Sequence, residues 1–287
     1  MSRNFIGSLF MIICMFGYAT SDVFMKISGE ILPLSQSLVI RGVIVVTFIS
    51  IIAIIRKEFL VKISKDQFKF ISLRVCGDVG GTFLFLLALF KMKIANVTAI
   101  LQCLPLVLTL IAVLFLKEVI GWRRWSAIFF GLFGVLLIIK PMTKDFNENS
   151  IFALGAVLFI VIRDLFTRKI NKKIPSIFIA LLSSSAVTLF SFFVMLFQVQ
   201  VSISLNHMKI LFCSAIFLII GILFNVMSMR VGELGFVSIF RYAIIFFAMI
   251  YGILFFNELP DSYSIIGILI IIFSGIYTLY RENKSVL

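Results

Sequence analysis

Arg241 lies seven residues into an apolar run, about 10 Å deep at about 1.5 Å per residue. A guanidinium at mid-depth in a bilayer costs about 2.5 to 3.5 kcal/mol on insertion scales. An ionisable group held there is a functional hypothesis by default. Its chemistry is to hold a carboxylate or phosphate through charge-assisted, bidentate hydrogen bonds, either on a ligand or on a protein Asp when the site is empty. The competing explanation is a purely structural ion pair, which is weak evidence of stabilisation. Tyr242, beside it, offers an aromatic face and a hydroxyl.

Three carboxylates could answer that cation or carry a proton: Asp22, Asp78 and Asp164. Burial and a nearby arginine act on a carboxyl in opposite senses, so such a group can change charge as a cavity opens. Asp78 lies deepest and leads as the proton site. Each also has a structural alternative, an i,i+4 pair: Asp22 with Lys26, Asp164 with Arg168, and Asp78 with Arg74. Arg163 and Asp164 are neighbours, so their Cβ directions differ by about 100° and one should face a cavity while the other faces a helix. Arg41, a third of the way into its run, fits a gate ion pair or a fold contact equally. Gln102 and Asn225 are donors for a cavity or for ordinary interhelical bonds. Pro105 removes the hydrogen bond to the carbonyl of Leu101 and should bend its helix. A few of the 34 phenylalanines near Arg241 could sandwich a flat ring.

The elements that must hold these groups are set by composition. Of 287 residues, 62% are hydrophobic and 14% charged, with a mean hydropathy of +1.18. A soluble domain needs roughly 25% charged residues to wet its surface. Lipid is therefore the solvent for most of this chain. Apolar runs long enough to cross a bilayer fall at 5–27, 35–55, 71–90, 95–116, 122–140, 150–167, 174–198, 209–229, 234–256 and 263–280. All should be helices, because an open strand edge cannot be satisfied in hydrocarbon. The first run imitates a signal peptide, with Arg3 and then Ala19-Thr20-Ser21, but it continues through Val23-Phe24-Met25 and reads as a retained helix.

The net charge of +13 does not point to nucleic acid, because the Lys and Arg lie between apolar runs rather than along one face. Seventeen of them fall on the side of the N-terminus against six on the other, with Arg41, Arg163 and Arg241 inside runs. That bias expects both termini in the cytoplasm. The cysteines Cys14, Cys76, Cys103 and Cys213 read as small buried hydrophobes. His207 falls in a polar connector, so neither a metal site nor a cofactor is expected.

The chain also repeats itself at an offset of about 140 residues. Asp22-Val23-Phe24-Met25-Lys26 falls on Asp164-Leu165-Phe166-Thr167-Arg168. Gly81 falls on Gly221, Gly134 on Gly275, and Lys117-Glu118 on Asn257-Glu258. Five crossings per half is odd, so the second copy enters from the opposite side. The expected fold is an all-α integral membrane protein of ten transmembrane helices, as two inverted five-helix repeats over 1–145 and 146–287. Inverted repeats suit alternating access, since each half can adopt its partner's conformation.

Residues Ala95 to Gln102, then Pro105, Lys117-Glu118, Gly131 and Gly134, resemble the EamA repeat, the unit of the drug/metabolite transporter superfamily. Arg41 matches the arginine usual in the second span, whereas its repeat position holds Leu182. The resemblance implies a central cavity lined by the first, third, fourth, sixth, eighth and ninth spans. Arg163-Asp164-Leu165-Phe166-Thr167-Arg168, Phe240-Arg241-Tyr242 and Ser274 to Arg281 resemble a bacterial branch that includes S-adenosylmethionine and riboflavin carriers. The expected activity is secondary transport of a small metabolite across a bacterial inner membrane. Proton coupling is an expectation of the buried carboxylates, and the oligomeric state is left open. A membrane enzyme would need a nucleophile, metal site or phosphate loop, and no such motif occurs. A channel would need rings of charges or carbonyls, where two inverted halves suit a carrier.

Overall fold

A chain in hydrocarbon must satisfy its backbone from within, and the α-helix does this one segment at a time. The computed structural model describes residues 3–59, 61, 63–116, 122–140, 147–171, 173–231, 237 and 239–286. The helices are α1 (Arg3–Gly29), α2 (Leu34–Ile55), α3 (Lys65–Lys91), α4 (Ile94–Leu101), α5 (Leu104–Leu116) and α6 (Trp122–Ile139). They continue as α7 (Ser150–Lys169), α8 (Ser176–Met195), α9 (Leu205–Val231), α10 (Ala243–Phe256) and α11 (Ser262–Val286). A 3-10 turn, Ile239–Tyr242, leads into α10. Among the described residues there is no strand. Every expected span meets a helix. The fourth is divided into α4 and α5, and the ninth combines the 3-10 turn with α10.

Local chemistry sets the boundaries. Pro33 and Pro175, equivalent in the repeat, occupy the cap positions of α2 and α8. Ser64 caps α3, its hydroxyl accepting the Gln67 N–H at 3.4 Å. The helix therefore begins at Lys65, and Arg74 lies about two and a half turns inside it. His207 is likewise inside the first turn of α9, where its Nδ1 accepts the Ser204 N–H at 3.2 Å, rather than in a connector. Asn257 ends α10 in the left-handed region, φ 50°, sending the Glu258 N–H back to the Gly252 carbonyl at 2.8 Å.

The helices pair across the two halves. Helix α1 packs on α9, α3 on α7, α2 on α8, α4 on α10, and α6 on α11. Exchanging the halves maps this set onto itself, as a pseudo-two-fold axis requires. The closest crossings need glycine. A Cβ on Gly17 would lie 2.9 Å from the Phe217 carbonyl oxygen and from the Gly221 nitrogen. One on Gly77 would lie 2.7 Å from the Phe159 oxygen and 2.6 Å from the Arg163 nitrogen. Buried serines supply short cross-links between helices: Ser21 Oγ and Ser214 Oγ are 3.0 Å apart, and Ser228 Oγ donates to the Gly7 carbonyl at 2.9 Å. Small residues and hydroxyls are what helix association uses when lipid removes the hydrophobic drive. The outer faces carry Phe129, Phe133, Leu136, Phe193 and Leu254, all exposed to the surroundings. Cys14 and Cys103 are buried as expected, but Cys76 is exposed on α3, so burial does not hold for all four.

Backbone atoms cannot step aside as a side-chain end can. Gly17→Ala and Gly77→Ala should each cost about 1 to 3 kcal/mol of overpacking, read as a lower melting temperature in detergent. Gly155→Ala, which would meet only the Leu84 side chain at 3.1 Å, should change it little. Equal effects at the three positions would contradict the backbone-contact explanation.

Candidate functional site

Two helix breaks meet near mid-depth. Pro105 has no N–H, and around it the fourth span leaves the α-ladder: Cys103 N–H bonds the Ile100 carbonyl at 3.1 Å and Leu106 N–H the Cys103 carbonyl at 2.9 Å. The expected bend is thus a break at Gln102 and Cys103. In the ninth span, the Arg241 carbonyl precedes the first α-turn of α10. Gln102 Nε2 donates to that carbonyl at 3.1 Å, and the Tyr242 hydroxyl donates to the Gln102 carbonyl at 3.3 Å. Tyr242 is 6% exposed. Its ring packs over Gly275, where a Cβ would collide with the hydroxyl. Gln102 and Tyr242 therefore each donate to a carbonyl of the opposite break, Gln102 to that of Arg241 and Tyr242 to that of Gln102.

The Arg241 side chain is left over. It is partly exposed inside the bundle, and among the described residues it has no hydrogen bond or ion pair. No Asp among the described residues holds it. Its charge, and that of Arg163, act on the hydroxyl of Tyr18. The side chains of Asn225 and Cys14 also lie beside that hydroxyl. Tyr18 was missed in the sequence reading. The signal available was its place one turn from Cys14 and one turn from Asp22, a polar stripe at i,i+4 spacing on α1. Phe224, Phe240 and Phe247 pack around the same cluster with Met11 and Met15.

The other charges pair up. With an even number of crossings, both termini lie at one end of the bundle. On that half, Asp78 Oδ2 accepts from Arg74 at 3.1 Å and its Oδ1 from Arg163 at 3.4 Å, while Arg163 Nε donates to Asp164 Oδ1 at 2.8 Å. Arg74 also reaches the Ser183 hydroxyl of α8. Arg163 and Asp164 thus meet after all: the arginine is long enough to bridge Cβ directions that diverge by about 100°. Both oxygens of Asp78 are occupied, so a proton arriving there would have to displace a guanidinium.

Nearer the far end, Arg41 is 6% exposed and acts electrostatically on Asp22. Asp22 makes no hydrogen bond or ion pair among the described residues. Lys26 does not pair with it. Lys26 Nζ lies 2.5 Å from Glu258 Oε1 and donates to the Met92 carbonyl at 2.5 Å, while Glu258 Oε2 accepts the Ile94 N–H at 2.8 Å. The junction ties the ends of spans one, three, four and nine, and Phe256 lies under the ammonium at 4.9 Å. Beside it, Lys140 pairs with Asp261 at 2.8 Å. Burial pushes the Asp261 carboxyl up, but hydrogen bonds from Lys140 and Ser264, with the Lys140 charge, outweigh that and bring it down to about 2. The repeat places Arg168 opposite Lys26 and Glu118 opposite Glu258; those side chains lie outside the described residues.

Among the described residues inside the spans, every carboxylate thus stands near a cation, and one guanidinium is in excess. An apolar groove of about 650 Å³ between α6 and α11, lined by Phe130, Ile270, Phe273 and Tyr277, opens toward lipid and holds none of these charges.

Ten apolar spans in two inverted halves, with a cation where two of the spans break, share the architecture of alternating-access carriers. The chain belongs to the EamA-like transporter family, whose sequence model matches it twice, over residues 5–140 and 149–280. It is 26% identical over 192 residues to the S-adenosylmethionine uptake transporter of Rickettsia prowazekii (strain Madrid E), covering 67% of this chain and 65% of that protein. To the riboflavin transporter of Vibrio cholerae serotype O1 it is 35% identical over 107 residues, 37% of this chain and 36% of that one. To the pseudopaline exporter CntI of Pseudomonas aeruginosa (strain UCBPP-PA14) it is 23% identical over 289 residues, 97% of each. A crystal structure shares the fold, with a TM-score of 0.67, 14% identity, and coverage of 97% of this chain and 98% of that one. The chain thus spans slightly under two thirds of the Rickettsia transporter.

The Lys26–Glu258 junction has two partly buried charges and two backbone bonds. A double-mutant cycle with Lys26→Met and Glu258→Gln, read by chemical unfolding in detergent, should give a coupling of about 1 to 3 kcal/mol. Additive losses would mean that the pair contributes nothing beyond its separate residues.

Proposed function

We propose that this protein is a secondary transporter that moves a small metabolite bearing a carboxylate or phosphate across the inner membrane by alternating access. The observation that carries the reading is the Arg241 guanidinium, without a hydrogen bond or ion pair among the described residues, at mid-depth where the fourth and ninth spans break. Discontinuous helices at the interface of inverted repeats mark the substrate sites of such carriers. An anionic substrate group completes the charge balance of the cavity on arrival and leaves the arginine bare on release. The Tyr18 hydroxyl, Asn225 and the aromatic side chains around them supply the remaining contacts. S-adenosylmethionine or another cargo with an amino-acid carboxylate is what the relatives' names and the site favour together, whereas riboflavin, which has neither a carboxylate nor a phosphate, is favoured by a relative's name and the surrounding aromatic side chains alone. The excess of Lys and Arg at the terminal end supports a cytoplasmic location for both termini, which makes the Lys26–Glu258 junction the outer closure.

A charge-assisted hydrogen bond contributes about 1.5 to 3 kcal/mol. Arg241→Ala should therefore lose roughly ten- to a hundredfold in affinity and flux in proteoliposomes while its unfolding curve stays intact; Arg241→Lys should recover part of it. Purified protein screened with S-adenosylmethionine, riboflavin and amino acids should show a raised melting temperature with one of them, by about 2.7 kcal/mol of stabilisation at a hundredfold excess over Kd. Wild-type flux in Arg241→Ala would end this reading.

Coupling to protons extends the proposal, and the geometry moves the candidate from Asp78 to Asp22. Asp78 is engaged by Arg74 and Arg163, whereas Asp22, which makes no hydrogen bond or ion pair among the described residues, can take a proton, with Arg41 of α2 acting on it and Lys26 one turn along α1. An uncoupler that collapses the proton gradient should then abolish concentrative transport, and Asp22→Asn should leave only downhill exchange. Transport indifferent to the uncoupler would remove protons from the mechanism.

A further inference from the structure

The repeat offset of about 140 residues carries Gln102 onto Tyr242, so the two residues occupy the same place in the two halves. In both halves that place is a helix break. Each break leaves carbonyls outside the helical ladder, and a carbonyl left bare away from water costs about as much as a lost hydrogen bond. The two breaks satisfy each other. Gln102 Nε2, from the first half, donates to the Arg241 carbonyl at 3.1 Å, and the Tyr242 hydroxyl, from the second half, donates to the Gln102 carbonyl at 3.3 Å. Both bonds cross between the halves, and one of them ends on Arg241, whose guanidinium has no partner among the described residues. The neighbouring packing is built for the arrangement: Gly275 leaves room for the Tyr242 ring, and Gly131 leaves room for Leu106 just past the first break.

We propose that Gln102 and Tyr242 are positioning residues and not substrate contacts: together they brace the two broken helices, fix the backbone from which Arg241 projects, and pass the pull of a bound anion from the second half to the first. This rests on Arg241 as the substrate cation. A side chain on a 3-10 turn can swing only as far as its backbone allows, and here that backbone is held by a residue of the other repeat. An anion that draws on Arg241 therefore draws on the Gln102 break as well. While the brace is closed, one Gln102 N–H and the Tyr242 hydroxyl proton are committed to backbone carbonyls.

The test reads the backbone directly, so it does not depend on knowing the cargo. Hydrogen–deuterium exchange of the full-length protein in detergent is compared over residues 239–246 and 99–106. Tyr242→Phe, which removes only a hydroxyl, and Gln102→Glu, which keeps the shape but offers no donor when ionised, should each speed exchange in both segments by about tenfold or more, whereas Arg241→Ala should leave residues 99–106 unchanged. With S-adenosylmethionine as the flux probe, the two brace variants should lower the maximal rate more than they raise KM, and the double variant should be no worse than the poorer single one. Unchanged exchange in both brace variants overturns the proposal, as does a rise in KM alone with exchange unaltered, which would make Gln102 a ligand contact. Should S-adenosylmethionine neither bind nor move, the cargo assignment fails while the exchange result still decides the brace.

Discussion

Hydrocarbon offers no hydrogen bonds, and every unusual feature of this protein answers that constraint. Where helices run unbroken, the backbone satisfies itself and the side chains can be apolar. Where a helix breaks, a partner has to come from another helix, and where a charge enters, a counter-charge has to come with it. The Gln102–Tyr242 exchange, the Arg74–Asp78–Arg163–Asp164 network and the Lys26–Glu258 junction are three solutions to the same problem. Arg241 stands out because, among the described residues, its side chain has no such solution.

The two ends of the bundle are charged differently. Toward the terminal end, two arginines and two aspartates form a closed network across α3 and α7 with Ser183 of α8. Toward the far end, Asp22 and Arg41 interact through space without a hydrogen bond. The repeat gives Asp22 and Asp164 the same position, yet Asp164 has an adjacent arginine and Asp22 does not. One site is thus committed and its equivalent is uncommitted, an asymmetry that a directional carrier can use.

Much of this was legible in the sequence, for reasons that differ by feature. The spans were legible because apolar length is a local property, and the repeat because charged and glycine landmarks kept one offset. The Asp78–Arg74 pair was legible because i,i+4 neighbours on a helix meet whatever surrounds them. Lys26 looked equally well matched to Asp22, but it is drawn to Glu258, which lies in the other half of the chain. Pairings of that kind depend on how each helix is rotated about its axis, and hydropathy leaves that rotation open. Tyr18 stayed hidden for the same reason, since an aromatic in an apolar run looks like any other until its hydroxyl has neighbours. The role of Gln102 changed too, because no local pattern tells a cavity donor from one that bonds a distant backbone.

The glycine crossings have a consequence for how far the two halves can stand in for each other. In the repeat, Gly17 corresponds to Phe159 and Gly77 to Phe217, and the atoms that crowd the two glycines are backbone atoms at and near Phe217 and Phe159. At both crossings the missing Cβ belongs to the first half and the backbone that fills its place to the second. A copy of the second half put in place of the first would bring a Cβ against that backbone at both crossings, so the two repeats share an architecture without being interchangeable.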